Sequence, residues 1–199
     1  QVFRFSISQV KKMFLNILFI IALTFPVAIA STAFNIVDNE QLTTVKERNL
    51  GRDLVFALIL ASGQGVMYLL GTMLGGTFMH LLERLSTWVV LALCFSVSFR
   101  MLIDTLKIRN GENLYLIHNK KQSLLLSIAL GINAFIVGLM ADFMPLFQNM
   151  TPFILIGTGF VWSLISMAIP FSKMKLTLNS LLNSIFAGII LVKGLLGLI

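Results

Sequence analysis

The residues able to do chemistry in this chain are the few polar ones set inside long apolar runs: Gln64, Arg100, Asp104, Asn133 and Lys193, with Pro26 beside them. Pro26 has no N–H, so the carbonyl of Ala22 loses its helical partner and a kink is expected there. A carbonyl freed in this way can act as an ion ligand when it faces a cavity; otherwise the kink only shapes packing. Asn133 and Gln64 carry amides that must find partners in a medium without water. Each either lines an ion path or joins helices by hydrogen bonds. Arg100 and Asp104 are four residues apart on one helical face, and pairing makes a charge in a bilayer tolerable. That pair is either structural or part of a conduction route. Lys193 has no acid within a turn, so it pairs across helices, snorkels to an interface or loses its proton.

No enzyme can be assembled from these parts. The chain has no Gly-x-Ser-x-Gly elbow, no His-Glu-x-x-His pair and no glycine-rich phosphate loop. Cys94 is its single cysteine, which excludes both a disulfide scaffold and two-thiol redox chemistry. His80 and His118 are expected in loops or at helix ends, with no second histidine at ligand spacing, so neither reads as a metal site. No cofactor is expected. Asp142 is expected at an interface, at the end of the fourth span.

The elements that hold these residues follow from composition. Of 199 residues, 57% are hydrophobic and 12% charged, with a mean hydropathy of +0.93. A soluble domain averages about 25% charged residues, so this chain cannot cover a water-facing globule and its solvent is the lipid bilayer. Apolar runs at 13–37, between Asp53 and Glu83, between Arg84 and Lys107, between Lys121 and Asp142, from about Pro152 to Lys173, and from about Leu178 onward give six spans. A hydrocarbon core of about 30 Å takes roughly 20 helical residues, which each run supplies. The runs are continuous rather than alternating, so the fold class is all-α and polytopic. The first run is too long for the apolar core of a cleavable signal peptide. The basic excess, a net charge of +7, sits at the ends of the runs, where it anchors helices rather than binding nucleic acid. Lys46, Arg48, Arg52, Lys107, Arg109, Lys120, Lys121, Lys173 and Lys175 flank the odd-numbered loops, which are therefore expected in the cytoplasm.

The two halves of this single membrane domain resemble each other. Ile21-Ala22-Leu23 in the first span matches Ile128-Ala129-Leu130 in the fourth, and Pro26 then falls opposite Asn133. Arg100 and Lys193 occupy similar points in the third and sixth spans. Three spans per half make the halves inverted repeats, at 13–106 and 122–199, a plan that places a substrate near the midplane. Gly71 with Gly75, Ser127 with Gly131, and Ala134 with Gly138 have the small-xxx-small spacing of close helix packing.

Four stretches resemble the bacterial manganese efflux pump family, in the lysine-exporter superfamily. They are residues 22–31, Gln64-Gly65-Val66-Met67-Tyr68-Leu69-Leu70-Gly71, Trp88 followed by Arg100 to Asp104, and Ile128 to Gly138. The resemblance implies a multi-pass plasma-membrane transporter that exports manganese or another divalent cation, rocking one repeat against the other. It also implies that the family's two central aspartates fall at Pro26 and Asn133. Manganese prefers carboxylate and other hard oxygen ligands, so these departures weaken the implied ion site. The candidate metal ligands are Asn133, Gln64, Asp104 and the carbonyl of Ala22. The alternative is a membrane paralogue that kept the fold as a scaffold or partner subunit, or that exports a different small substrate.

Overall fold

The computed structural model describes residues 2–41, 50–78, 84–109, 120–144, 146–147, 150–169 and 173–197. Among them the secondary structure is helical throughout: α1 (Val2–Gln41), α2 (Leu50–Phe78), α3 (Ser86–Arg109), α4 (Lys120–Leu139), α5 (Thr151–Ala168) and α6 (Lys173–Leu196). Each holds a stretch long and apolar enough to cross a membrane, so the chain is an all-α, multi-pass membrane protein. Several helices extend beyond the expected runs, two of them by more than a turn at the start. α1 starts at Val2 rather than near residue 13, and α6 at Lys173 rather than near Leu178. Charge-free runs mark where lipid begins, whereas backbone hydrogen bonds continue into the flanking water. α1 runs through Pro26 as one helix. α5 starts where expected: Pro152 lies in its first turn, where a missing N–H costs little. The Thr151 hydroxyl oxygen accepts from the Phe147 N–H at 3.1 Å and so ties the preceding turn to the helix.

Side-chain contacts fix the direction of each helix. α1 is antiparallel to α6, because Asn16 meets Lys193 while Thr32 meets Asn179. α1 is parallel to α5, with Phe25 edge-on to Trp162 at 5.2 Å and Thr32 against Ser166 at 2.9 Å. α2 is parallel to α4 and antiparallel to α5. α3 is antiparallel to α6, with Ser98 at Ala187 and Thr105 at Ser180. These directions are those of six successive crossings. The main neighbours are also unchanged when α1, α2 and α3 are exchanged for α4, α5 and α6. The α1–α5 pair becomes α4–α2, α1–α6 becomes α4–α3, and the pairs α2–α5, α3–α6 and α1–α4 map onto themselves.

α1 is the central helix. Every residue from Ala22 to Ala28 is buried, and a helix buried all round has no solvent-facing stripe. Phe25 is held from two sides, by Trp162 of α5 and by Phe186 of α6 at 4.8 Å. The outer surface is apolar instead: Trp88, Phe95, Phe99 and Leu106 of α3 are each more than half exposed. In water such a face would aggregate; in a bilayer it meets lipid.

Two helix pairs are held in different ways. Between α2 and α4, glycines bring backbones together. A Cβ placed on Gly131 would lie 2.7 Å from the Gly63 carbonyl oxygen, and one on Gly75 would lie 2.5 Å from that of Leu139. Gly71 and Gly138 likewise press against the backbone of the opposite helix. Between α1 and α5 the contact is through hydroxyls. Ser31 and Ser163 are 2.7 Å apart, and Ser166 is both 2.9 Å from Thr32 and a donor to the Ala28 carbonyl at 2.6 Å. Asn179 of α6 joins this seam by donating to Thr32 at 3.1 Å.

Candidate functional site

Gln64 is placed by its neighbours. Gly63 faces α4, packed on Ser127, and Gly65 faces α5, packed on Ile156 and Pro152. Successive helical residues are about 100° apart, so Gln64 projects between those two helices, towards α1. It is fully buried, and its Cγ is 3.8 Å from where a Cβ on Gly159 would stand. Neither its Nε2 nor its Oε1 has a hydrogen-bond partner.

Asn133 lies on α4, opposite Pro26 in the exchange of the two halves. It shares a helix face with Val137 and Met140, which pack in one cluster with Phe19, Ile20, Ala22 and Leu23 of α1. It is 2% exposed, and its Oδ1 has no partner. α2 and α4 run parallel, with Gly63 level with Ser127 to Gly131, so Gln64 and Asn133 lie within about one turn of each other along the bundle. Gly131 and Gly138 face α2, so Asn133, about 200° round the helix from Gly131, points away from α2; the two amides are level and both lie in the protein interior. A buried polar atom left unpaired costs about 1–3 kcal/mol. These three atoms, on two neighbouring helices, are positions where the fold gives up stability.

The other sequence-predicted residues lie elsewhere. Arg100 donates from Nη2 to the Ala129 carbonyl of α4 at 2.9 Å. Taking Arg100 and Ala129 as level on antiparallel helices, Asp104 is about 12 Å along the axis from Asn133. Asp104 is half-buried, beside Thr105, which accepts from Asn183 Nδ2 at 3.0 Å. Lys193 is buried at the far end of α6. Its ammonium donates to Asn16 Oδ1 and stands 4.8 Å over the Phe19 ring. Asp142 is exposed in the turn after α4. His80 and His118 lie outside the described residues, as do Lys46 and Arg48 and the side chains of Arg109, Lys120, Lys173 and Lys175. Among the described residues no group of three His, Cys, Asp or Glu could hold a metal.

Sequence reasoning missed Asn16, Asn183 and the hydroxyl seam. Their signal is the placing of polar residues three or four apart within apolar runs: Ser163 with Ser166, and Asn179 with Asn183. Asn183 donates to the Met101 carbonyl at 2.7 Å as well as to Thr105, while its Oδ1 is unpartnered.

A family profile described as "Putative manganese efflux pump" matches residues 47–198, which takes in α2 to α6. Comparison with curated proteins and with solved structures found no match.

Proposed function

The chain belongs to the manganese efflux pump family, and from that premise we propose that it is a secondary transporter exporting a small divalent cation, manganese foremost, by alternating access. The observation that carries this reading is the set of unpartnered amide atoms of Gln64 and Asn133, buried in the protein interior. Amide oxygens are hard donors of the kind manganese accepts. Gln64 Oε1, Asn133 Oδ1 and the Ala22 carbonyl would give the ion neutral oxygens in place of water. Neutral ligands bind a dication less tightly than carboxylates do, which suits a site that must also release its ion. Asp104, two turns away, would serve the approach rather than the centre. The exchange pattern of the helix neighbours supports reading 13–106 and 122–199 as inverted repeats, with the centre at their interface. Such a protein would sit in a bacterial plasma membrane with its odd-numbered loops in the cytoplasm.

Purified protein in liposomes loaded with a manganese-quenched dye tests the proposal. Flux above protein-free liposomes is expected, and it should fall with Gln64→Leu or Asn133→Leu. No flux of manganese or of any other divalent cation would contradict it. A second reading is a non-transporting partner subunit, and Pro26 and Asn133 favour it, since neither gives the centre a charge. Pro26→Asp combined with Asn133→Asp separates the two. Export that appears only in the double variant identifies the native chain as the non-transporting form.

A further inference from the structure

We propose that α3 and α6 move as one unit against a core of α1, α2, α4 and α5, and that Lys193 and Arg100 are the gates that close this unit onto the core, one on each side of the membrane midplane. The proposal rests on the alternating-access reading and names the parts that would alternate.

The sequence repeats themselves cannot be the moving bodies. Both close seams, the glycine contact of α2 with α4 and the hydroxyl contact of α1 with α5, run from one repeat to the other. Separating the repeats would break both. The four helices in those seams are further joined by α2 against α5, where Gly65 packs on Ile156 and Pro152 and Ala61 on Gly159. They form one body.

α3 and α6 form the other. Ser98 donates to the Ala187 carbonyl at 2.8 Å, and Asn183 donates to the Met101 carbonyl and to Thr105. Cys94 packs on Gly194. This pair meets the core chiefly through α6 on α1 and, more sparsely, α3 on α4.

Each of those two contacts carries one intramembrane cation. Lys193 of α6 reaches Asn16 and the ring of Phe19 on α1, and Asn16 is fixed in turn by donating to the Leu146 carbonyl at 2.9 Å. Arg100 of α3 reaches the Ala129 carbonyl on α4. Under the exchange of α1–α3 for α4–α6, one contact takes the place of the other. The Cα positions of the two cations also lie on opposite sides of the membrane centre, with the acceptor Ala129 close to the middle of α4. Lys193 is about 10 Å from the middle of its span, towards the α4–α5 turn, and Arg100 is about 5 Å from the middle of its own, towards the other face. Both acceptors are neutral oxygens, so each contact can open without leaving a buried carboxylate unpaired. A unit rocking on the core would open one contact while the other stays closed.

The native thiol reports this motion. Cys94 is the chain's single cysteine, is fully buried, and stands on α3 with its Sγ 3.9 Å from Met140 Sδ at the turn after α4, on the Lys193 side. Opening that side exposes it. The rate of maleimide labelling of Cys94 is measured in membrane vesicles for the full chain, K193M, K193R and R100M, with size-exclusion profiles as the check on folding. K193M should label roughly 3- to 30-fold faster than the native chain, the population shift expected from one interhelical hydrogen bond. R100M should label more slowly than the native chain, and K193R should stay near it. Should K193M fail to fold, Phe19→Leu removes the ring beneath the ammonium and is expected to shift labelling the same way. Faster labelling in both K193M and R100M, or no change in either, overturns the gate assignment. Labelling requires no transported ion, so that failure is distinct from a failure of manganese flux.

Discussion

The α2–α4 and α1–α5 contacts occupy equivalent places in the bundle, yet they are built from different chemistry. In the first, glycines let one backbone lie on another, and the attraction is dispersion between closely packed atoms, spread along Gly63, Gly71, Gly75, Gly131 and Gly138. In the second, four hydroxyls meet side chain to side chain, and the attraction is concentrated in a few directional hydrogen bonds. Backbone contact tolerates no added volume, whereas a hydroxyl seam tolerates loss of a group at the cost of one weak bond. α1, which carries two of the four hydroxyls, is also the central helix. Its counterpart α4 is fixed against α2 so that Asn133 and Gln64 keep their mutual level.

This contrast can be broken by substitution, and the largest effect belongs to the glycine seam. Gly71→Val or Gly138→Val drives a branched side chain into the opposite backbone, and a loss of about 3 kcal/mol or more is expected from overpacking. Loss of a monodisperse peak in detergent would register it; a native-like melting temperature would show that the helices can part without cost. A smaller effect is expected for Ser31→Ala with Ser163→Ala. A double-mutant cycle on thermal unfolding should return a coupling of about 0.6–1.7 kcal/mol, the range for hydrogen bonds between membrane helices. A coupling near zero would make the hydroxyl seam incidental. The smallest effect is expected for Gly157→Ala and Gly188→Ala, where a Cβ meets nothing within 4 Å. These should change stability by no more than about 0.5 kcal/mol. If they are as harmful as Gly71→Val, glycine matters here for the helix itself and not for its neighbours.

The parts legible in the sequence are those that lipid dictates. A span must be long and apolar, so six helices could be counted, and the small-xxx-small spacings of Gly71 with Gly75 and Ser127 with Gly131 lie where helices do pack closely. Helix ends were less legible, because Arg4, Lys11 and Lys12 interrupt hydropathy without interrupting the backbone of α1. The spacing of Ser163 and Ser166 marked a polar face but not its partner: serine and threonine in an apolar run bond their own helix or a neighbour with equal ease, and only packing decides which. Arg100 illustrates the limit well. Its acceptor is the backbone carbonyl of Ala129, and every residue has a carbonyl. Asn16, which holds Lys193, is 177 residues away from it along the chain. Asn133 and Gln64 could be identified as polar positions, but that Asn133 Oδ1 and both amide atoms of Gln64 lack partners among the described residues is a property of the folded bundle alone.

Gln64→Leu with Asn133→Leu, scored for melting temperature and manganese flux on the same purified sample, tests most directly whether the bundle keeps two buried amides for the sake of an ion. Replacing unpartnered polar groups by apolar ones of similar size should leave stability unchanged or raised. Flux should disappear at the same time. Undiminished flux in the double variant, or a collapse of stability that explains the loss of flux, would contradict the assignment of these amides to the transport site.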